Sequence, residues 1–421
     1  MKRSGWMVLA WVVAGGAAAQ TPSETLYHGG RAWTGQGFEP RDLAVRGDRI
    51  IDGSALGPNA TRVDVTGRWL IPAYANAHAH ITNATMETSR VYTDAGVFYV
   101  WNPNTIVQDA QDKAFFARPD TFDVRVAQGG ITEPGGHPER LYVEFLSQSV
   151  YAGRPRAWFI GNAFHYGSTP AEIDAALDVL SAQGADFVKA YLLNSERYAE
   201  LKNDPTAYGR RGLNPENFAY LVQAAHARGL PVAVHMETAH DLEVAARAGA
   251  DFAAHLPGYG GDEPEALDSK RITPELAALV ARSGMRVIPT YGIIVGSAYD
   301  EEGEITREAT EQIALQRENL RLLREAGVPI LIGTDGRGPI FSEAEHLVEI
   351  GVFSPAEATR IVLETGPMLF PDRRIGCLDV GCEADFLVLD ADPTVDIAAL
   401  RRIDSRVMQG RPLEATPESV D

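Results

Sequence analysis

Six side chains in this sequence have the types and spacing to share one metal-dependent reaction. The stretch LIPAYANAHAHITNA (70–84) closes an apolar run with His78 and His80, separated by one alanine. Side chains on a strand alternate between faces, so two imidazoles at this spacing point the same way. Lys189 lies in ADFVKAYLL, His235 in PVAVHME, His255 in ADFAAHLP and Asp335 in VPILIGTDG, each an apolar run of strand composition. Taken singly, each has a bland explanation: a hydrogen-bonded core histidine, a helix-capping aspartate, a lysine snorkelling to a rim. As a set at equivalent strand ends they point to one site. Imidazole nitrogens with a carboxylate suit zinc and its neighbours manganese, cobalt and iron. A lysine among Phe187, Val188, Ala190 and Tyr191 loses its hydration unless paired or neutralised. Reaction of its amine with CO2 would give a carbamate, anionic and with two oxygens, able to bridge two ions.

Such residues need a scaffold that brings strand ends together. Eight apolar runs qualify as strands: WLIPAYAN, GVFYVWN, FDVRVAQGG, ADFVKAYLL, PVAVHME, ADFAAHLP, MRVIPTYGI and VPILIGTDG. Between them lie segments of helical period, among them PAEIDAALDVLSAQG, PENFAYLVQAAHARG, HDLEVAARAGA, TPELAALVARSG and REATEQIALQRENLRLLREAG. Several open on Ser/Thr-Pro or close on Gly, as helices do, and SPAE (354–357) has capping-box spacing. The alternation predicts an α/β fold: a distorted (β/α)8 TIM barrel over 71–370, whose chemistry sits at the C-terminal strand ends. No glycine-rich phosphate loop follows the first strand, which disfavours a doubly wound sheet. Short Val-, Thr- and aromatic-rich strands at 20–70 and 371–421 predict a small β-sandwich assembled from both ends.

Composition narrows the function classes. The chain has 421 residues and a net charge of −19, with no basic run, which excludes a nucleic-acid binder. MKR followed by GWMVLAWVVAGGA and AAAQ reads as a secretory signal peptide cleaved after Ala19. The expectation is a periplasmic or secreted protein with no membrane anchor after cleavage, acting on a small molecule. Oligomeric state stays open. The only cysteines, Cys377 and Cys382, are compatible with a disulfide staple or with two free buried thiols, and the latter is preferred.

The segments LIPAYANAHAH, GADFVKAY, VAVHMET, GADFAAHLPG and ILIGTDG, with the closing IGCLDVGCEADFLVLDADP, resemble the amidohydrolase superfamily. The likeness is to exported members similar to imidazolonepropionase and Xaa-Pro dipeptidase, and it spans nearly everything after the signal segment. It implies that His78, His80 and Asp335 hold one divalent ion, that His235 and His255 hold a second, and that carboxylated Lys189 bridges them. It implies hydrolysis of a C–N amide bond in a dipeptide or N-acyl amino acid by activated water, with Asp335 as general base. His137 in QGGITEPGGHP resembles the loop histidine that contacts the substrate carbonyl in dipeptidase-type members. Tyr191, two residues after Lys189, faces the same way and could donate to an oxyanion. His165 is a weaker candidate near the mouth; His28, His226, His240 and His346 fit structural or surface positions. Two departures stand out: Ala73 replaces the family's glycine before the H-x-H motif, where Asn76 takes the polar position, and GVFYVWNPNT replaces the commoner second strand. A cyclic amide or lactone hydrolase is the close alternative. Deamination fits less well, because Glu237 falls one place short of an H-x-x-E pattern. A non-enzymatic binding protein would not keep all six ligand positions filled.

Overall fold

The computed structural model describes residues 23–260, 267–293 and 305–414; the expected signal segment lies outside them. Among the described residues no helix is long and apolar enough to cross a membrane. The strand Tyr74–Asn76 pairs in parallel with Val97–Asn102, which pairs with Asp123–Val126. A second parallel sheet runs in the order Phe164–Tyr166, Gly130–Thr132, Val188–Tyr191, Val232–His235, Phe252–Ala253, Arg286–Val287. Parallel strands buried on both faces read as near-continuous apolar runs, and Val188–Tyr191 and Val232–His235 are buried at every position. Trp101 stacks on Phe187 at 4.1 Å and meets Phe252 edge-on at 4.7 Å, so three strands share one aromatic layer. The result is a mixed α/β, TIM-barrel-like fold.

The helices follow their start signals closely. Thr169, Asn214, Thr238, Thr273 and Thr306 each cap one of the five expected helices with a side-chain oxygen accepting from the first turn. Ser354 and Glu357 form the expected capping box.

Three strands differ from expectation, each for a local reason. WLIPAYAN is two strands, because Pro72 has no N–H to continue a ladder. Trp69–Pro72 pairs with Phe386–Leu389, and the chain changes sheets at Ala73, whose N–H goes to the Asp385 carbonyl. FDVRVAQGG bends at Gln128 and Gly129, whose φ angles are 59° and 105°, splitting Asp123–Val126 from Gly130–Thr132. The segment 328–336 is not a regular strand. It makes single parallel bridges, Ile330 to Val287 and Gly336 to Ala79, while the Ile332 N–H is drawn to Thr365 Oγ1.

Both ends of the chain meet in one sheet, ordered Arg411–Leu413, Ile403–Met408, Phe386–Leu389, Trp69–Pro72, Arg31–Trp33, Phe38–Pro40. A four-stranded sheet over residues 24–64 accompanies it. Asp385 ties this region to the parallel strands: its carboxylate accepts from Tyr99 Oη at 2.5 Å and from the Gln409 N–H at 2.5 Å. Cys377 and Cys382 form a disulfide, which corrects the preference for free thiols. The tight turn between them, with Gly381 at φ 88° and the Cys382 N–H donating to the Asp379 carbonyl, brings their Cα atoms to 6.0 Å, within bridging range.

Candidate metal centre and catalytic cavity

Strand Tyr74–Asn76 delivers His78 and His80 to the end of the parallel sheet, and backbone carbonyls orient both rings. His78 Nδ1 is 2.7 Å from the Ala254 carbonyl, and His80 Nδ1 is 2.6 Å from the Asn104 carbonyl. A carbonyl only accepts, so both Nδ1 atoms carry the proton and both Nε2 atoms present lone pairs. Those lone pairs converge on one carboxylate oxygen: Asp335 Oδ1 lies 3.1 Å from His78 Nε2 and 2.9 Å from His80 Nε2. His78 Nε2 is buried and has no hydrogen-bond partner. Burial, then the neighbouring Lys189 charge, pushes the His78 imidazole down to about 4, so it is neutral at pH 7. Burial opposes ionisation of Asp335, yet the facing His255, His78 and His80 rings outweigh it and hold the carboxyl well below its usual range. The two Nε2 atoms and the Asp335 carboxylate face one another, with ligand atoms within 4.8 Å, a spacing that one cation could span. The donor set fits a divalent ion of the zinc type.

Asp335 reaches this position through unusual backbone. Its φ is 51°, a left-handed conformation that costs energy for a residue with a Cβ and is common at functional sites. The His78 carbonyl accepts the N–H groups of both Thr334 and Asp335. Asn76 braces the same turn, accepting from the His78 N–H at 3.0 Å and donating to Thr334 Oγ1 at 2.9 Å. Gly333 leaves room for that approach: a Cβ there would lie 2.4 Å from Ile288 and 2.9 Å from His78.

Lys189, His235 and His255 line the same cavity of ≈ 650 Å³. Lys189 is 1% exposed and makes no hydrogen bond or ion pair among the described residues. Burial pulls its amine down to about 7, with Asp335 opposing. Burial holds the imidazoles of His235 and His255 well below their ordinary value. Their rings are 4.7 Å apart, and His255 is 4.4 Å from His78. His255 Nδ1 is 2.9 Å from Thr290 Oγ1 and 3.9 Å from Asp335 Oδ2, while His235 Nε2 is 3.1 Å from Glu237 Oε1. These two rings offer only two donors, and a third depends on Lys189.

His137 and Tyr191 also reach the cavity. The His137 ring stacks on His235 at 4.5 Å, and Tyr191 lies 5.3 Å from His137. Tyr191 Oη is buried and makes no well-aligned hydrogen bond among the described residues, and its ring fills the space over Gly130, where a Cβ would sit 2.4 Å away. Buried carboxylates anchor the loop carrying His137. Glu139 accepts from the Gly135 N–H at 2.8 Å, Arg156 Nε at 2.6 Å and Tyr166 Oη at 2.9 Å. Glu133 accepts from Tyr198 and Arg211.

His165 is buried on strand Phe164–Tyr166 and does not line the cavity, nor do His28, His226, His240 or His346. His226 pairs with Asp251, and His346 with Gln316. Of the departing second strand, Trp101 is core, whereas Asn104 and Thr105 line the cavity.

Several residues at the site were not expected there from the sequence, Glu237 having been weighed only for deamination. Glu237 lines the cavity and accepts from Tyr259 Oη at 3.1 Å; its place two after His235 is the same-face signal that singled out His78 and His80. Asp241 accepts from the N–H groups of Asn194, Ser195, Glu237 and Thr238, joining the loops after two strands. Only its capping-box position in TAHD hinted at this. Thr290 and Glu343, which lie behind His255, left no local signal.

Comparison with known proteins agrees with this fold. An imidazolonepropionase of Stenotrophomonas maltophilia is 23% identical over 422 residues, covering 88% of this chain and 91% of that protein. A crystal structure of an amidohydrolase superposes with a TM-score of 0.72 at 19% identity, covering 94% of this chain and all of the other. A Xaa-Pro dipeptidase with methionine in its active site superposes with a TM-score of 0.69 at 19% identity, covering 93% and 100%. Residues 69–413 match the Amidohydrolase family, and the chain belongs to that family.

Proposed function

We propose that this protein is a metal-dependent hydrolase of C–N amide bonds, with dipeptides or N-acyl amino acids as its substrates. The observation that carries the reading is the convergence of the His78 and His80 Nε2 atoms on the Asp335 carboxylate in a cavity that also holds the buried Lys189. His78, His80 and Asp335 would hold one ion, and His235 and His255 a second. A Lys189 carbamate would join them. Its amine, brought to about 7 by burial, is substantially neutral near pH 7, and the neutral amine is the form that adds CO2. The relatives' names, imidazolonepropionase and Xaa-Pro dipeptidase, support the bond class.

Divalent ions bound here would polarise a substrate carbonyl and make water acidic enough to react near neutral pH. The chain's own residues do the rest. Asp335 accepts the proton of the attacking water and passes it to the leaving nitrogen as the C–N bond breaks, yielding a carboxylic acid and an amine. Tyr191 Oη, which makes no well-aligned hydrogen bond among the described residues, donates to the developing oxyanion. His137 contacts the same carbonyl from the opposite loop. The bridges from 328–336 to both neighbouring segments support reading the parallel strands as a closed barrel, with the terminal sheets as its sandwich domain. The signal segment supports export, to the periplasm or beyond.

Elemental analysis of the purified protein beside Lys189→Ala tests the reading. Two ions per chain, falling in the variant, together with hydrolysis of acyl amino acids or dipeptides, are expected. One ion, indifferent to Lys189, overturns the bridged pair.

A further inference from the structure

The chemistry above uses one side of the cavity. The outer wall is made by the segment after His137, including Leu141–Phe145 and Leu146–Gln148 and ending at Tyr151. Tyr142 and Tyr151 lie near-parallel at 6.0 Å and pack on Phe159 and Phe164 in a small core separate from the main one. That backing makes the wall a packed surface rather than a loose loop. Its front leaves Leu141 41% and Phe145 55% exposed. Large apolar side chains left open on a concave surface beside polar groups mark a ligand-binding face.

The charge of the cavity runs against that of the molecule. The chain carries −19, yet Arg140, Arg210 and Arg337 line a cavity whose acids are Asp335 and Glu237. Arg140 is engaged by Glu144 at 2.9 Å. Arg337, two residues after Asp335, forms no ion pair or hydrogen bond among the described residues, and its charge reaches Tyr151. The Tyr151 hydroxyl is buried near the Ile106 backbone N–H and makes no well-aligned hydrogen bond among the described residues. An open guanidinium and a buried phenol beside aromatic faces suit a carboxylate attached to a large apolar group.

We infer that Tyr142, Phe145, Leu146, Tyr151 and Arg337 form a specificity subsite for the part of the substrate that bears a carboxylate and an aromatic or large aliphatic group. The inference rests on the amide-hydrolase reading for its substrate, an acylated aromatic or large aliphatic amino acid or the matching dipeptide. As a ligand site it is testable without turnover.

Calorimetric titration of the metal-loaded full chain with 3-phenylpropionate, propionate and neutral 3-phenylpropionamide separates the contributions. The expected result is that 3-phenylpropionate binds at least about tenfold more tightly than either relative. Phe145→Ser should shrink the advantage over propionate, and Arg337→Gln the advantage over the amide. Both side chains are exposed, so unchanged thermal unfolding is expected of both variants. Equal binding of 3-phenylpropionate and propionate overturns the apolar wall. An undiminished preference for carboxylate in Arg337→Gln overturns the anion role and assigns that preference to the metal centre. Hydrolysis of N-acetylphenylalanine and N-acetylglycine is followed in parallel. The binding preference without turnover of any amide sinks the hydrolase reading and leaves the subsite standing. Turnover with equal kcat/KM for both, and no binding preference, sinks the subsite alone.

Discussion

Asp335 and Tyr191 carry separable parts of the proposed reaction. Asp335→Asn removes the proton acceptor, and kcat should fall about 10³-fold; steady-state kinetics on an acyl amino acid reads this directly. Asn also ligates weakly, so metal content is measured on the same sample. Tyr191→Phe keeps the ring over Gly130 and deletes a hydroxyl that makes no well-aligned hydrogen bond among the described residues. The fold should therefore be as stable as the parent or more so. Loss of an oxyanion donor lowers kcat about 10²-fold with KM nearly unchanged. A Tyr191→Phe enzyme of normal kcat would return Tyr191 to a packing role.

At the scale of elements, loops after different strands are held by shared buried carboxylates. Asp241 is fully buried and takes four backbone N–H groups from two loops. Asp241→Ala leaves those donors without partners in the interior. We expect a loss of about 3 kcal/mol or more of unfolding free energy in urea titration. Metal affinity should fall with it, because the anchored loop begins directly after His235, the last residue of its strand. The helices were legible from local chemistry, since caps and periodicity act within a few residues. The segment 328–336 was legible as apolar but not as irregular, because the Ile332 N–H is drawn to Thr365, on the helix Pro355–Leu369. The split at Ala73 was hidden for a related reason: Pro72 was visible, but not the separate sheet that receives Trp69–Pro72.

Across the whole molecule, the interior sets a pH dependence of stability. Glu343 is buried behind the Thr290–Gly292 loop, and burial pushes its carboxyl from 4.5 up to about 7, against the backbone N–H groups of Gly292, Tyr291 and Thr290. A raised carboxyl pKa means that the folded state binds the proton more tightly than the unfolded state. Its stabilising contribution is complete below about pH 4.5 and is lost as pH rises through 7. Glu343→Gln should remove a pH-dependent change of about 3 kcal/mol between those limits, read from denaturation midpoints at pH 5 and pH 8. Reduction of the Cys377–Cys382 disulfide removes a staple that closes only a short loop. A short closed loop contributes about 2 kcal/mol, so dithiothreitol should lower the denaturation midpoint slightly and leave activity intact.

The amino-acid sequence alone determined the donor chemistry. His78 and His80 share a face by strand period, and Lys189, His235, His255 and Asp335 stand out by the composition of the apolar runs around them. These are local properties, carried by residue type and spacing. Only the tertiary structure decided which lone pairs meet. The Ala254 and Asn104 carbonyls set the tautomers of His78 and His80, and a left-handed backbone at Asp335 turns its carboxylate toward them. Both depend on atoms far away in sequence. The same holds for Arg337 and the aromatic wall, whose meaning comes from a cavity that exists only after the chain has closed around it.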